Sequence, residues 1–304
     1  MTNDGSVTPD MVALECHRAA IRARLRKAGH FRAGPASVSW KINREIVVVA
    51  GWGRAILLQL AHPSVAAGVS DHSSFKGCPI TGFRRLRSTV RSMLSLTFGT
   101  EAEMIDAAAG INLIHDRVRG RALGRIYSAH DPALLQWVHA TLIESIPLTY
   151  DMLVGPLTPR ERDRYAFEAA IMEPLLGIPA GRLPRNAIEL DGYMRERLES
   201  GDLIVTDASR ALARAILFPR KWQLAWPAFR FFQLLTIGSL PPSIRDADGF
   251  RWRARDARAL ARWTRVVRTL LKMLPPFARE WPVARGTSDE RSMARPGSCG
   301  QVAG

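Results

Sequence analysis

The chain has 304 residues, of which 47% are hydrophobic and 23% charged; these are ordinary globular proportions, with enough length to enclose a large core. The formal charge of +15 is not ordinary, and only five of the 43 basic residues are lysines (27, 41, 76, 221 and 272), so arginine carries it. The three cysteines (Cys16, Cys78, Cys299) form no CxxC and no CxxCH, which excludes a zinc ribbon, covalent haem attachment and a disulfide framework and fits a reducing, cytoplasmic setting.

Residues 1–8 are polar, lack the apolar run of a secretory signal and read as a disordered lead-in. Helical periodicity then predicts helices at 10–28, 40–49, 53–66 and 84–97. Thr100-Glu-Ala-Glu103 is a capping box; the helix it opens carries Met104, Ala108, Ile111, His115 and Val118 on one stripe. Asp131-Pro132 supplies an N-cap followed by proline at the first helical position, and that helix is expected to bury Leu135, Val138, Leu142 and Ile146. Thr158-Pro-Arg-Glu161 repeats the capping logic and opens a helix to about Met172. Further helices are expected at 187–199, 206–217, 222–236 and 251–273, with Pro/Gly-rich breaks at 174–184 and 238–242. The one stretch with strand character, Ile46–Val49, is too short to build a sheet. Trp222–Leu240 is the most apolar window, but Pro227 and Arg230 interrupt it and it falls short of the ~20 clean residues that spanning a membrane requires. The expected fold class is therefore all-α: a single multi-helix domain over 9–284, with a disordered tail at 285–304.

Several chemistries are excluded by motif. There is no HExxH, no Walker A and no GxSxG, and Gly51-Trp-Gly53 lacks the third glycine and the βαβ context of a nucleotide loop. None of the seven histidines has glutamate three residues before it, which removes the di-iron bundle signature. What remains is a set of polar residues within apolar helices. Arg54, Leu58, Ala61 and His62 recur at spacings of three and four; His72 lies in an HSSF turn; Arg84, Arg85, Arg87 and Thr89 enter the next helix. Arg85 and Thr89, four apart, share a face, and His115 interrupts an apolar stripe one helix later.

Each has a bland reading. A histidine on an apolar face is usually a core residue, which applies to His115, His139 and His62; His17, His30 and His130 read as surface or turn residues, and the arginines at 84, 85 and 87 as a solvated face. Arg251, Arg255, Arg258, Arg262 and Arg265 also recur at three and four. That stripe suits a nucleic-acid or membrane-surface binder, but Trp252, Leu260, Trp263 and Val267 trace an apolar face, as in a packed helix with a solvated basic side. Haem would unify the first set: one neutral imidazole binds iron, apolar helices cover the porphyrin, and arginines pair with propionates or polarise dioxygen.

The strings WGRAILLQLAHPSVAAGVSDHSSF, RLRST at 85–89, Phe98-Gly99, IHDRVRG around His115, YSAHDPALLQWVHATL at 127–142 and the PPSIRDADGF…LPPFAREWPVAR tail resemble the MpaB-type oxygenase family, which includes rubber oxygenase (latex-clearing protein). The resemblance implies a non-covalent haem b in an all-α, loosely globin-like fold, and a dioxygen-dependent oxygenase. It implies His115 as the proximal iron ligand, with Asp116 or a backbone carbonyl holding its other nitrogen, and Arg85 and Thr89 as distal groups. Arg54, His62 and His72 become cofactor-pocket candidates. Two departures concern the reaction: Ser88 stands where rubber oxygenase has a distal lysine, and its proposed glutamate base has no match, Asp71 being the nearest acid. The expected function is a haem-dependent oxygenase acting with dioxygen on a small hydrophobic, unsaturated substrate, isoprenoid or lipid-like. The alternatives are a haem sensor, carrier or peroxidase-like protein, and a basic helical nucleic-acid or membrane-surface binder. The expected partners are that substrate and dioxygen, without nucleic acid; peripheral membrane contact stays open.

Overall fold

The apolar stripes fold into helices nearly everywhere along the chain. The computed structural model describes residues 8–29, 33–72, 79–218 and 226–285, apart from the side chains of 72, 79–86 and 226. Helices α1 (Pro9–Ala28) and α2 (Val38–Asn43) and a short 3-10 segment, Ile46–Ala50, lead into α3 (Gly51–Leu60) and α4 (Pro63–His72). Next come α5 (Pro79–Phe98), α6 (Glu101–His115) and a two-stranded antiparallel hairpin of β1 (Arg119–Ala122) and β2 (Arg125–Ser128). The middle of the chain holds α7 (Pro132–Leu153), α8 (Pro159–Ala169), α9 (Met172–Leu176), α10 (Ala187–Glu199) and α11 (Asp207–Leu217). It closes with α12 (Trp226–Ser239), α13 (Pro242–Ala247), α14 (Ala254–Met273) and α15 (Pro276–Arg279). The fold is all-α, with one small hairpin.

The predicted helix starts are made by the predicted side chains. Thr100 and Glu103 form a reciprocal capping box at the head of α6, Thr158 and Glu161 do the same for α8, and Asp131 accepts from Ala133 N–H at the head of α7. Each satisfies backbone donors that the first helical turn leaves without partners.

Helix α3 is the centre of the molecule, wedged between α7 and α12. A Cβ on Gly51 would stand 2.5 Å from Thr149 Oγ1 and 2.8 Å from the Ser145 carbonyl of α7; one on Gly53 would strike Thr236 and Phe232 of α12. The two glycines of the Gly-Trp-Gly string therefore serve close helix packing. Leu57, Leu58, Trp137, Ala140 and Ile143 fill the main core, and a second cluster joins α1, α6 and α9 through Ile21, Leu25, Ile105, Ala108 and Leu175.

Three expectations are corrected. The helix predicted over 53–66 is two helices: at Ala61–His62 the chain bends by 108° between the α3 and α4 directions, because Pro63 cannot donate to a continuing helix. Ser64 N–H instead donates to His62 Nδ1 at 3.2 Å, and α4 starts afresh. Ile46–Val49 is 3-10 helix rather than strand-like. Third, α6 stops at His115, so Val118 lies off its stripe, and the following residues form the hairpin. Its loop is Leu123-Gly124, with φ of 47° and 79°, the double positive φ that matches a two-residue turn to strand twist. Among the described residues no single helix is long and apolar enough to cross a membrane.

Candidate active site

His115 is the last residue of α6 and is partly buried. Burial, reinforced by nearby His130, pulls its imidazole down to about pKa 4, against a smaller opposing pull from Asp116. It is therefore neutral at physiological pH. Its Nδ1 is buried and has no hydrogen-bond partner among the described residues. An unsatisfied buried ring nitrogen is costly, and a neutral imidazole is the form that ligates metals.

The surroundings of His115 are rich in imidazole. His139, on α7, is 7% exposed and is likewise pulled down to about 4 by burial and, secondarily, by the proximity of His115. The His130 ring meets the His115 ring edge-on, centroids 5.7 Å apart, and stacks at 6.4 Å on His17 of α1. Asp116 holds this group together: its two carboxylate oxygens lie 2.8 Å from His17 Nε2 and 2.8 Å from His130 Nε2. Burial opposes ionisation of Asp116, but these two hydrogen bonds outweigh it and hold the carboxyl below its ordinary range. Asp116 is thus committed to His17 and His130, which corrects the expectation that it steadies His115.

The end of α4 packs against the same region. A Cβ at Gly68 would lie 3.2 Å from Val118 and 3.5 Å from Tyr127, and Tyr127 donates to Asp71 Oδ2 at 3.2 Å. Asp71 is in the last turn of α4. His72 follows it, placing its backbone at this junction, although its side chain lies outside the described residues. His62, at the α3–α4 bend, is held below its ordinary range by burial and by Arg197, and it also feels Asp131 and Arg125 beside the hairpin.

Arg85 and Thr89 sit on α5, against which α6 folds back; Met93 and Leu96 pack with Met104, Ile105 and Ala108. At about 1.5 Å per residue, Arg85 lies as far back from the Phe98–Glu101 turn as His115, and Thr89 about 6 Å nearer the turn. The Thr89 side chain is exposed; that of Arg85 lies outside the described residues.

The Arg54 guanidinium is fully engaged. The residue is 4% exposed and forks onto Glu144 at 2.6 and 2.8 Å, with further bonds to Ser145 Oγ and the Ser239 carbonyl, both at 2.8 Å. Its guanidinium pins α3 to α7 and to the end of α12.

His139, His130 and His17 are the site residues that sequence reasoning passed over as core or surface. Only the fourteen-residue step from Asp116 around the hairpin to His130 was there to be read, and it required recognising Leu123-Gly124 as a turn.

Residues 40–269 match the family described as "ER-bound oxygenase mpaB/B'/Rubber oxygenase, catalytic domain". The chain belongs to this family. As an MpaB/rubber-oxygenase catalytic domain it is an oxygenase-family protein, and His62, His72, Arg85, Thr89, His115 and His139 all fall within the matched span, whereas His17 precedes it. Two curated relatives, the uncharacterised proteins Mb2261 of Mycobacterium bovis and Rv2237 of Mycobacterium tuberculosis, are each 27% identical over 224 residues, covering 72% of this chain and 87% of theirs. No solved structure matches.

Proposed function

We propose that this oxygenase domain uses haem b and dioxygen on a small apolar, unsaturated substrate, isoprenoid or lipid-like, and that His115 is the residue that would hold the iron. One observation carries this reading: a histidine held neutral down to about pH 4 whose buried Nδ1 has no partner among the described residues. Among the described residues no three His, Cys, Asp or Glu side chains converge on a multidentate metal centre, and a single imidazole suits a metal whose other ligands belong to a macrocycle. When bound, haem supplies the iron at which dioxygen is activated.

The chain's own residues supply orientation and polarity. The Asp116–His17–His130 bonds fix the end of α6 on which His115 stands. His139 adds a second neutral imidazole from α7. To Arg85 and Thr89, four residues apart on α5, we assign the donation of hydrogen bonds to dioxygen or a substrate oxygen. Arg54 holds α3 in place, the structural member of the set, with His62 and His72 at the two ends of α4.

The test is the visible spectrum of purified protein, with and without added hemin. A Soret band that is lost in His115→Ala supports the reading, and dioxygen uptake with an unsaturated lipid as substrate extends it to oxygenase turnover. Protein that takes up no hemin, or a band unchanged in His115→Ala, overturns it.

A further inference from the structure

A second feature lies away from the histidines, where α11, α12 and the start of α14 meet. A cavity of about 530 Å³ opens there, within the size range of small-molecule sites. Its apolar wall is aromatic. The Phe218 and Phe250 rings stand 6.4 Å apart, and Trp252 is seated so closely on α12 that a Cβ at Gly238 would lie 2.5 Å from it. The Arg245 guanidinium covers the Trp252 ring at 5.6 Å. Packing thus fixes Trp252 in this wall, while Phe218 is half-exposed.

The polar lining is one-sided. Arg214 comes from α11, Arg230 from α12, Arg251 and Arg253 from the segment before α14, and Arg255 from its first turn. The single acid that lines it among the described residues, Asp256, is paired to Arg230 at 3.2 Å. Arg214, Arg251, Arg253 and Arg255 have no carboxylate within ion-pair distance among the described residues. An anion that enters the cavity therefore meets positively charged side chains from three segments of the chain. A guanidinium fork matches phosphate oxygens in pairs.

We propose that this cavity binds a phosphate ester with an apolar, ring-bearing body, the phosphate held by Arg214, Arg251 and Arg255 and the body against Phe250 and Trp252. No histidine or cysteine lines it among the described residues, so it is a site separate from His115 and stands whether or not that residue binds iron. The basic stripe of α14 thereby divides: its start lines a pocket, while Arg258 and Arg262 lie beyond it.

The experiment is calorimetric titration of the full chain with 1-naphthyl phosphate, 1-naphthol and inorganic phosphate. The expected result is that 1-naphthyl phosphate binds at least tenfold more tightly than either fragment. The Arg251→Gln/Arg255→Gln variant loses at least tenfold in that affinity, and Arg258→Gln/Arg262→Gln, with the same charge change on the same helix, stays within twofold. All four substituted arginines are exposed, so both variants should fold, which circular dichroism checks. The proposal fails if 1-naphthyl phosphate does not bind, if either fragment binds as well as the whole, or if the first variant binds like wild type. Equal loss in both variants also overturns it, since binding would then belong to a diffuse basic surface.

Discussion

The ring of His130 stands edge-on to that of His115 at 5.7 Å, while its Nε2 is bound to Asp116, the residue that follows His115. The hairpin therefore folds back on the end of α6 and, through the same carboxylate, ties it to α1. In Asp116→Ala both histidines lose their anchor and His115 is held only by its helix. Hemin affinity, read from Soret titration, should fall by less than the roughly 10- to 100-fold that losing a direct hydrogen-bond partner of a metal ligand costs, because Asp116 bonds to His17 and His130 rather than to His115. An unchanged affinity would mean that the network supports the fold alone.

His115 and His139 should make the cofactor-free protein acid-sensitive. Both are pulled down to about 4 from an ordinary 6.5, so between those values the unfolded chain binds more protons than the folded one. Stability then rises with pH across that window and is lost on acidification from about 6.5 toward 4. The melting temperature should drop over this range, and His139→Phe should flatten the slope. A slope identical in wild type and variant would remove His139 from the explanation.

Arg54→Met tests whether that residue holds the fold or the cofactor. It strands the Glu144 carboxylate, 27% exposed, and should cost about 2–3 kcal/mol, somewhat less than breaking a fully buried pair. Urea denaturation measures this, and hemin binding by the folded fraction should persist. Lost hemin binding without lost stability would instead make Arg54 a direct cofactor contact.

Two glycines should respond in opposite senses to alanine. Gly53→Ala drives a methyl into Thr236 and Phe232 and should destabilise by about 1–3 kcal/mol, the usual cost of overpacking. Gly110, inside α6, has nothing within 4 Å of its would-be Cβ among the described residues, and alanine there should stabilise by about 0.5–1 kcal/mol through helix propensity. Thermal unfolding of the two variants decides both.

Sequence by itself determined the elements whose causes are local. The boxes at Thr100 and Thr158 and the Asp131 cap each act within three residues, and the structure contains all three. The helix expected at 187–199 also forms with those bounds. Where local signals compete, legibility fell: an apolar stripe ran through His62 and past His115, while Pro63 and the Leu123-Gly124 turn broke it.

The candidate site divides along the same line. His115, Arg85 and Thr89 stand out by helical spacing and family motifs, which are properties of one chain segment at a time. The surroundings of His115 do not, because His17 meets Asp116 across 99 positions and His139 arrives on a different helix. Pairing over such separations is set by how helices pack, and packing also decided that Arg54 faces Glu144 and that Asp116 serves His17 and His130. The sequence thus specified the locally capped helices and the residues they carry; helix packing decided which imidazole is buried without a hydrogen-bond partner for Nδ1 among the described residues.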